Sequence, residues 1–307
     1  MELRQRISER RGGAVLFGMT PPRTSTTPEG VRQVAERTMQ RLEPLDIDGL
    51  IVYDIDDESD RNPEERPFPY MPTLDPAEFV DQLDGWKKPV VIYRCVGKYQ
   101  PQTLGGWLGE QDTERVLSVF VGASSREKQV QVTLPAAQEL WRGTNPDLLL
   151  GAVAIPERHL AKGDEHERLL TKQAAGVSFF VTQVVYDLNA AKDLLSDYRY
   201  ACVERGVEPV PVIFTLSVCG SLKTLEFLSW LGVHVPRWLQ NDLRHCEDTL
   251  ARSYEQCLDT ADELIAFATR LGMPIGFNIE SVAIRKAEIE ASVELAGEIV
   301  KRTAHLR

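Results

Sequence analysis

Eight short runs of Val, Ile, Leu and Phe recur along the chain, each followed by a stretch with helical spacing. This alternation restricts the fold more than any other feature of the sequence. The runs cover 14–20, 49–55, 89–96, 115–122, 148–155, 179–187, 209–216 and 274–280. They are near-continuous in apolar residues, as strands are when a parallel sheet is covered on both faces. The intervening segments carry helix signals. Thr27-Pro28-Glu29 places Pro at a first helical position, with Val31, Val34, Met39 and Leu42 on one face. Residues 163–175 and 189–204 read in the same way, and Ile289, Val293, Ala296 and Val300 mark a buried stripe near the C-terminus. Eight strands alternating with helices predict a (β/α)8 TIM barrel, folded as one domain over residues 1–307. Extra helices are expected between strands seven and eight, at about 220–231 and 249–271, with a short piece around VPRWLQNDL.

Residues 1–13 read as a helix-like lead. MELRQRISERRGGAVLFGM is basic and then apolar, but the apolar run ends in TPPR with no small-residue cleavage site. A long loop, rich in Pro and charge, follows strand two over about 54–74; a lid and a solvated loop both fit it. A net charge of −11, without a Lys/Arg cluster that could track phosphates, argues against a nucleic-acid partner. No segment approaches the roughly 20 apolar residues that span a bilayer. Five cysteines without a C-x-x-C pair suggest a reducing compartment, and the expected location is the cytoplasm. Assembly into a homo-oligomer is left open.

Four stretches are candidates for chemistry. Gln183 puts a primary amide inside the apolar run 179–187, where an unpartnered amide costs roughly 1–3 kcal/mol. It is either completed by a ligand or satisfied by a neighbouring strand. A charged loop after strand five carries Glu157, Arg158, His159, Lys162, Asp164, Glu165 and His166, and Lys172 follows on the helix. It suits an anionic ligand or is a solvated surface; no third His or Cys stands at metal-ligand spacing. Arg23, in TPPRT after strand one, is placed to reach a carboxylate. Gly220-Ser221 at a helix start offers free N–H groups to an anion or is simply a cap. The acidic run Asp54, Asp56, Glu58 and Asp60 resembles a calcium loop, but its sixth position is Ser59 rather than Gly.

In their order and spacing, TPPRT, IPERH, the run from Lys172 through AAGVSFFVTQVVYD and the later VHVPRWL resemble the methylenetetrahydrofolate reductase family, from about residue 15 to about 290. The resemblance implies a barrel that binds a reduced folate, methylenetetrahydrofolate, and reduces it with NAD(P)H, through FAD or directly. It implies that Gln183 holds the pterin, with Arg23, Asp187 and Leu222 as further substrate contacts. Leu222 stands where an aromatic residue is expected. Flavin contacts carry over to His159 and Lys172, more loosely to Glu165 and Arg168, and Gly122 lies at the end of strand four. Departures are also plain. The family's catalytic Glu corresponds to Gly18, and its Arg-Gly-Asp corresponds to Val121-Gly122-Ala123. Glu280, at the end of strand eight beside strand one, is the expected replacement acid, with Asp54 or Asp56 from strand two as second choices. A folate-binding barrel without reductase activity is the alternative.

Overall fold

The computed structural model describes residues 2–57, 62, 64–123 and 128–307. Residues 58–61 and 63, which include Glu58, Ser59 and Asp60 and belong to the long loop, lie outside the described residues.

The eight apolar runs become eight strands: β1 (Val15–Met19), β2 (Gly49–Val52), β3 (Val90–Cys95), β4 (Val116–Val121), β5 (Leu150–Ala154), β6 (Phe179–Val184), β7 (Val212–Ser217) and β8 (Ile275–Glu280). All pair in parallel in sequence order, and β8 closes onto β1, so the fold is a TIM barrel. Every strand lies inside its predicted run except β7, which extends one residue further. Strand β6 ends at Val184, three residues before the run does, because Asp187 caps the next helix, Leu188–Glu204. The segment 156–162 is a correction. Read from the sequence as loop, it is a short helix, Pro156–Lys162, with Pro at its start and Gly163 at φ 68° ending it. Between β7 and β8 lie the helices Leu222–Trp230, Arg237–His245 and Thr249–Leu271.

Two apolar layers hold the barrel. The inner one includes Leu16, Ile51, Val91, Leu117, Val119, Phe179, Val181 and Ile213. Leu3 and Ile7, from the N-terminal helix Leu3–Ser8, join this inner cluster and plug the barrel's N-terminal end. The outer layer packs the alternate strand residues, such as Phe180, Phe214, Phe277 and Ile279, against helix faces carrying Leu194, Leu264 and Leu295. Phe179 fills the inner layer because Gly151 leaves it room: a Cβ at 151 would lie 2.5 Å from the ring. Gly151→Ala is therefore expected to cost about 1–3 kcal/mol through overpacking. The measurement is a denaturation midpoint that falls while the slope stays unchanged.

No helix among the described residues is long and apolar enough to cross a membrane.

Candidate functional site

In a closed parallel barrel the C-terminal strand ends form one rim, where catalytic groups gather. Here the rim carries a connected polar layer across β6, β7, β8 and the residue after β2. The pairing of β6 with β7 shifts between Val181 and Val184, a bulge that absorbs Thr182-Gln183. Thr182 Oγ1 accepts from Thr215 N at 2.9 Å, and Thr215 Oγ1 donates to Thr182 O at 2.8 Å. Asn278 Nδ2 donates to Tyr53 Oη at 2.8 Å and to Thr215 Oγ1 at 3.3 Å, while its Oδ1 is buried without a partner. Tyr53 is hydrogen-bonded to Glu280 and stacks edge-on against Tyr93, with ring centroids 4.7 Å apart.

Glu280 is the acid of this layer. It lies beside Gly18 in the β1–β8 register, as Asn278 lies beside Leu16. Burial pushes its carboxyl up to about 7, against the opposing hydrogen bonds from Tyr53 and Asn278. Burial, followed by the Glu280 charge, also raises Tyr53 and Tyr93 well above the usual phenol range. Gly18 leaves no space for a side chain. A Cβ there would lie 2.9 Å from Asn278 Oδ1 and 3.0 Å from Tyr53 Cε2. The position where the resemblance expects Glu is thus filled by groups from β8 and from the residue after β2.

Gln183 sits on the bulge, half-buried, and its Nε2 donates to Leu231 O at 2.9 Å. That satisfies one of its two donors; among the described residues the other N–H and the carbonyl oxygen have no hydrogen-bond partner. Leu231 directly follows the helix Leu222–Trp230, and the segment after it brings in two more acids. Glu157 Oε1 accepts from His234 N at 3.4 Å, and Asp187 Oδ2 meets His234 Nδ1 at 2.7 Å. Asp187 Oδ1 also caps the next helix through Asn189 N and Ala190 N, so its role is at least partly structural. Glu157 Oε2 is buried and unpartnered, and burial pushes this carboxyl up to about 7.

Other expected residues lie elsewhere. Asp54 lies apart from the polar layer around Tyr53 and Glu280. Its carboxylate is sequestered beneath the β3 end, taking Cys95 N at 2.8 Å, Tyr99 Oη at 2.7 Å and Lys98 Nζ at 2.5 Å. Three donors thus converge on this carboxylate, two of them on Oδ2. Asp56 pairs with Lys128 at 2.7 Å. Arg23 is exposed beside Thr73 and holds no ion pair among the described residues. Leu222 is exposed at the first position of its helix. The Gly220-Ser221 step is a cap, since Ser221 Oγ accepts from Thr224 N at 3.2 Å.

The groups expected to hold a flavin are turned on one another. Glu165 is fully buried, taking Arg158 at 3.0 Å, with Arg168 and Lys172 each 3.9 Å away. Lys172 Nζ donates to Val153 O at 2.6 Å, and burial lowers its pKa. His159 lies in the helix Pro156–Lys162 with Nε2 3.0 Å from Asp197 Oδ2. Gly122 and Ala123 present no carboxylate at the end of β4. As folded, the side chains of this set partner one another and Asp197. The third metal-type ligand that spacing did not supply comes from a neighbouring helix: donor atoms of His159, His166 and Asp197 lie within 4.8 Å of one another.

Tyr53, Thr215, Asn278 and His234 were not singled out as site residues by the sequence reading, whereas Glu157 stood in the charged loop after strand five. The strand alternation that carries Asn278 and Glu280 on one face was the available signal for the first group. No comparable signal brings His234 to Asp187, 47 residues away in sequence.

The fold and this rim define a (β/α)8 barrel with a half-buried, protonatable carboxylate at its C-terminal mouth. The model of the methylenetetrahydrofolate reductase family matches residues 140–274. An uncharacterized protein from Clostridium thermocellum, described as binding two copies of 5-methyl-5,6,7,8-tetrahydrofolic acid, is 43% identical with a TM-score of 0.87; the match covers 98% of this chain and 99% of that one. The chain belongs to the methylenetetrahydrofolate reductase family. Xanthomonas albilineans dihydropteroate synthase is far more distant, at 14% identity and a TM-score of 0.45 over 98% of this chain and 97% of that one. No curated protein matches the sequence significantly.

Proposed function

We propose that the chain binds a reduced folate of the 5-methyltetrahydrofolate class at the C-terminal mouth, and that Glu280 is the proton donor to it. The observation that carries this reading is the exchange across the β1–β8 seam: Gly18 has no room for a side chain, and the neighbouring Glu280 offers a carboxyl raised to about 7. Gln183 supports it, because its open N–H and carbonyl match the amide-like edge of a pterin.

The reaction is the reduction of 5,10-methylenetetrahydrofolate. An acid at the pterin protonates the ring nitrogen as the five-membered ring opens to an iminium. Hydride from NAD(P)H then completes the methyl group, giving 5-methyltetrahydrofolate and NAD(P)+. Because the expected flavin contacts are engaged with one another, hydride passes directly from the nicotinamide in this reading. The purified protein is then colourless.

The test is titration with 5-methyltetrahydrofolate together with NADH and NADPH oxidation in the presence of methylenetetrahydrofolate. Gln183→Ala is expected to weaken folate binding roughly tenfold to a hundredfold, from the loss of a ligand hydrogen bond. Absence of binding by the wild-type chain defeats the reading. A second reading is favoured by the Clostridium thermocellum relative, which is described through its bound folate alone. In that reading the barrel carries the methylated folate without reducing it. Binding without nicotinamide oxidation selects the carrier.

A further inference from the structure

We propose that Arg66 forms a carboxylate subsite at the mouth, taking the glutamate end of the reduced folate. This inference rests on the folate reading above and extends it to the far end of the ligand.

Among the described residues, Asn62 and Glu64 to Tyr70 follow β2 in the chain and form a strap that contacts the helix Leu222–Trp230, which follows β7. It is clipped at several places. Asn62 Nδ2 donates to Trp230 O at 3.1 Å, Trp230 Nε1 donates to Glu64 O at 2.9 Å, and Phe68 stacks edge-on against Phe227 at 5.3 Å.

Within this strap the Arg66 guanidinium lies among three aromatic rings, 5.5 Å from Tyr70, 5.3 Å from Phe227 and 5.1 Å from Trp230. Its Nε and Nη1 are buried and have no hydrogen-bond partner. Ring faces attract the cation but do not accept its in-plane N–H donors, and a guanidinium does not lose its proton to escape burial. Two other partly buried guanidinium groups have carboxylate partners where they sit: Arg94 with Asp75 at 2.6 Å, and Arg158 with Glu165 at 3.0 Å. Among the described residues no carboxylate pairs with Arg66. The missing partner is an acceptor fork of the kind a carboxylate supplies.

The position of Arg66 matches a folate in polarity. Leu231 O holds the Gln183 amide, and the preceding residue, Trp230, lies against the guanidinium. One short ledge therefore presents a neutral amide at one end and an unpaired cation at the other, as a folate presents a pterin and a glutamate. Lys223 Nζ, 4.8 Å over the Phe68 ring, adds a second cation for the second carboxylate. With a net charge of −11 over the whole chain, a dianionic tail needs such local cations to be held.

The experiment compares wild type, Arg66→Ala and Arg66→Gln by titration calorimetry with 5-methyltetrahydrofolate and with 6-methyltetrahydropterin, which lacks the tail. Both variants are expected to lose roughly tenfold to a hundredfold in affinity for the folate and to keep the wild-type affinity for the pterin. Added salt should weaken folate binding more in the wild type than in the variants. Equal losses for both compounds mean that Arg66 only staples the strap, and overturn the proposal. Unchanged folate affinity in a folded Arg66→Gln protein overturns it as well. A wild-type chain that binds the pterin but holds the folate no more tightly refutes the subsite while leaving the pterin site standing. One that binds neither compound removes both.

Discussion

Glu280→Gln is expected to bind 5-methyltetrahydrofolate within a few-fold of wild type and to lose roughly 10²–10⁴-fold in turnover with methylenetetrahydrofolate, the usual range for a deleted general acid. The pH profile has a defined sign. The acid form is needed, so wild-type turnover should fall as pH rises through about 7. The same substitution should change stability in a direction opposite to most active-site losses. A carboxyl raised from 4.5 to about 7 in the folded state holds its proton more tightly there than in the unfolded chain. The native state then loses stability progressively between about pH 4.5 and 7, by roughly 3 kcal/mol in all at about 1.36 kcal/mol per unit. Gln has no such loss. Denaturation midpoints of the two proteins should nearly coincide near pH 5 and diverge by pH 8, with the variant higher. Parallel pH dependences would show that Glu280 is not a strained acid.

Gly18→Glu, which restores the residue expected from the family, should be the more damaging change. The new Cβ would meet Asn278 Oδ1 at 2.9 Å and Tyr53 Cε2 at 3.0 Å, both fixed in the polar layer. Overpacking of this kind typically costs about 1–3 kcal/mol. The added carboxyl would also stand beside Glu280 in the β1–β8 register, so one of the two must stay protonated at neutral pH. Thermal unfolding of Gly18→Glu, Glu280→Gln and the double variant separates these effects. Glu280→Gln should relieve the charge conflict in the double variant but leave the steric loss. Full recovery of stability in the double variant would show that crowding at residue 18 is negligible.

The strands were legible because a sheet buried on both faces demands continuous apolar runs, and their number and alternation with helices allowed one main solution. The placement of Glu280 beside Gly18 was legible from neighbourhood alone: closing eight strands makes β8 adjacent to β1, so FNIE had to end beside FGMT. Gln183 was visible as an amide in an apolar run, although not the bulge that carries it, since a bulge is a property of pairing rather than of composition. The separation of Asp54 from Tyr53 follows the alternation along and beyond β2. Tyr53 belongs to the polar layer of the mouth, whereas Asp54 lies beneath β3 with Lys98 and Tyr99. The flavin contacts were a matter of residue identity, and identity does not report that Glu165, Arg158 and Lys172 face one another. Nor does spacing reveal that a strap from β2 lands on a helix more than 150 residues later, as Trp230 does on Glu64.

The stopper of Leu3 and Ile7 turns the barrel from a tube into a cup. Below Glu280 the shaft is filled by an apolar cluster that includes Leu16, Ile51, Val91 and Phe179. Protons and ligand therefore share a single doorway. Once a ligand occupies that doorway the carboxyl is cut off from bulk solvent, so the charge state of Glu280 is decided before the ligand arrives. Acidity of the medium would then act on the encounter rather than on the committed complex.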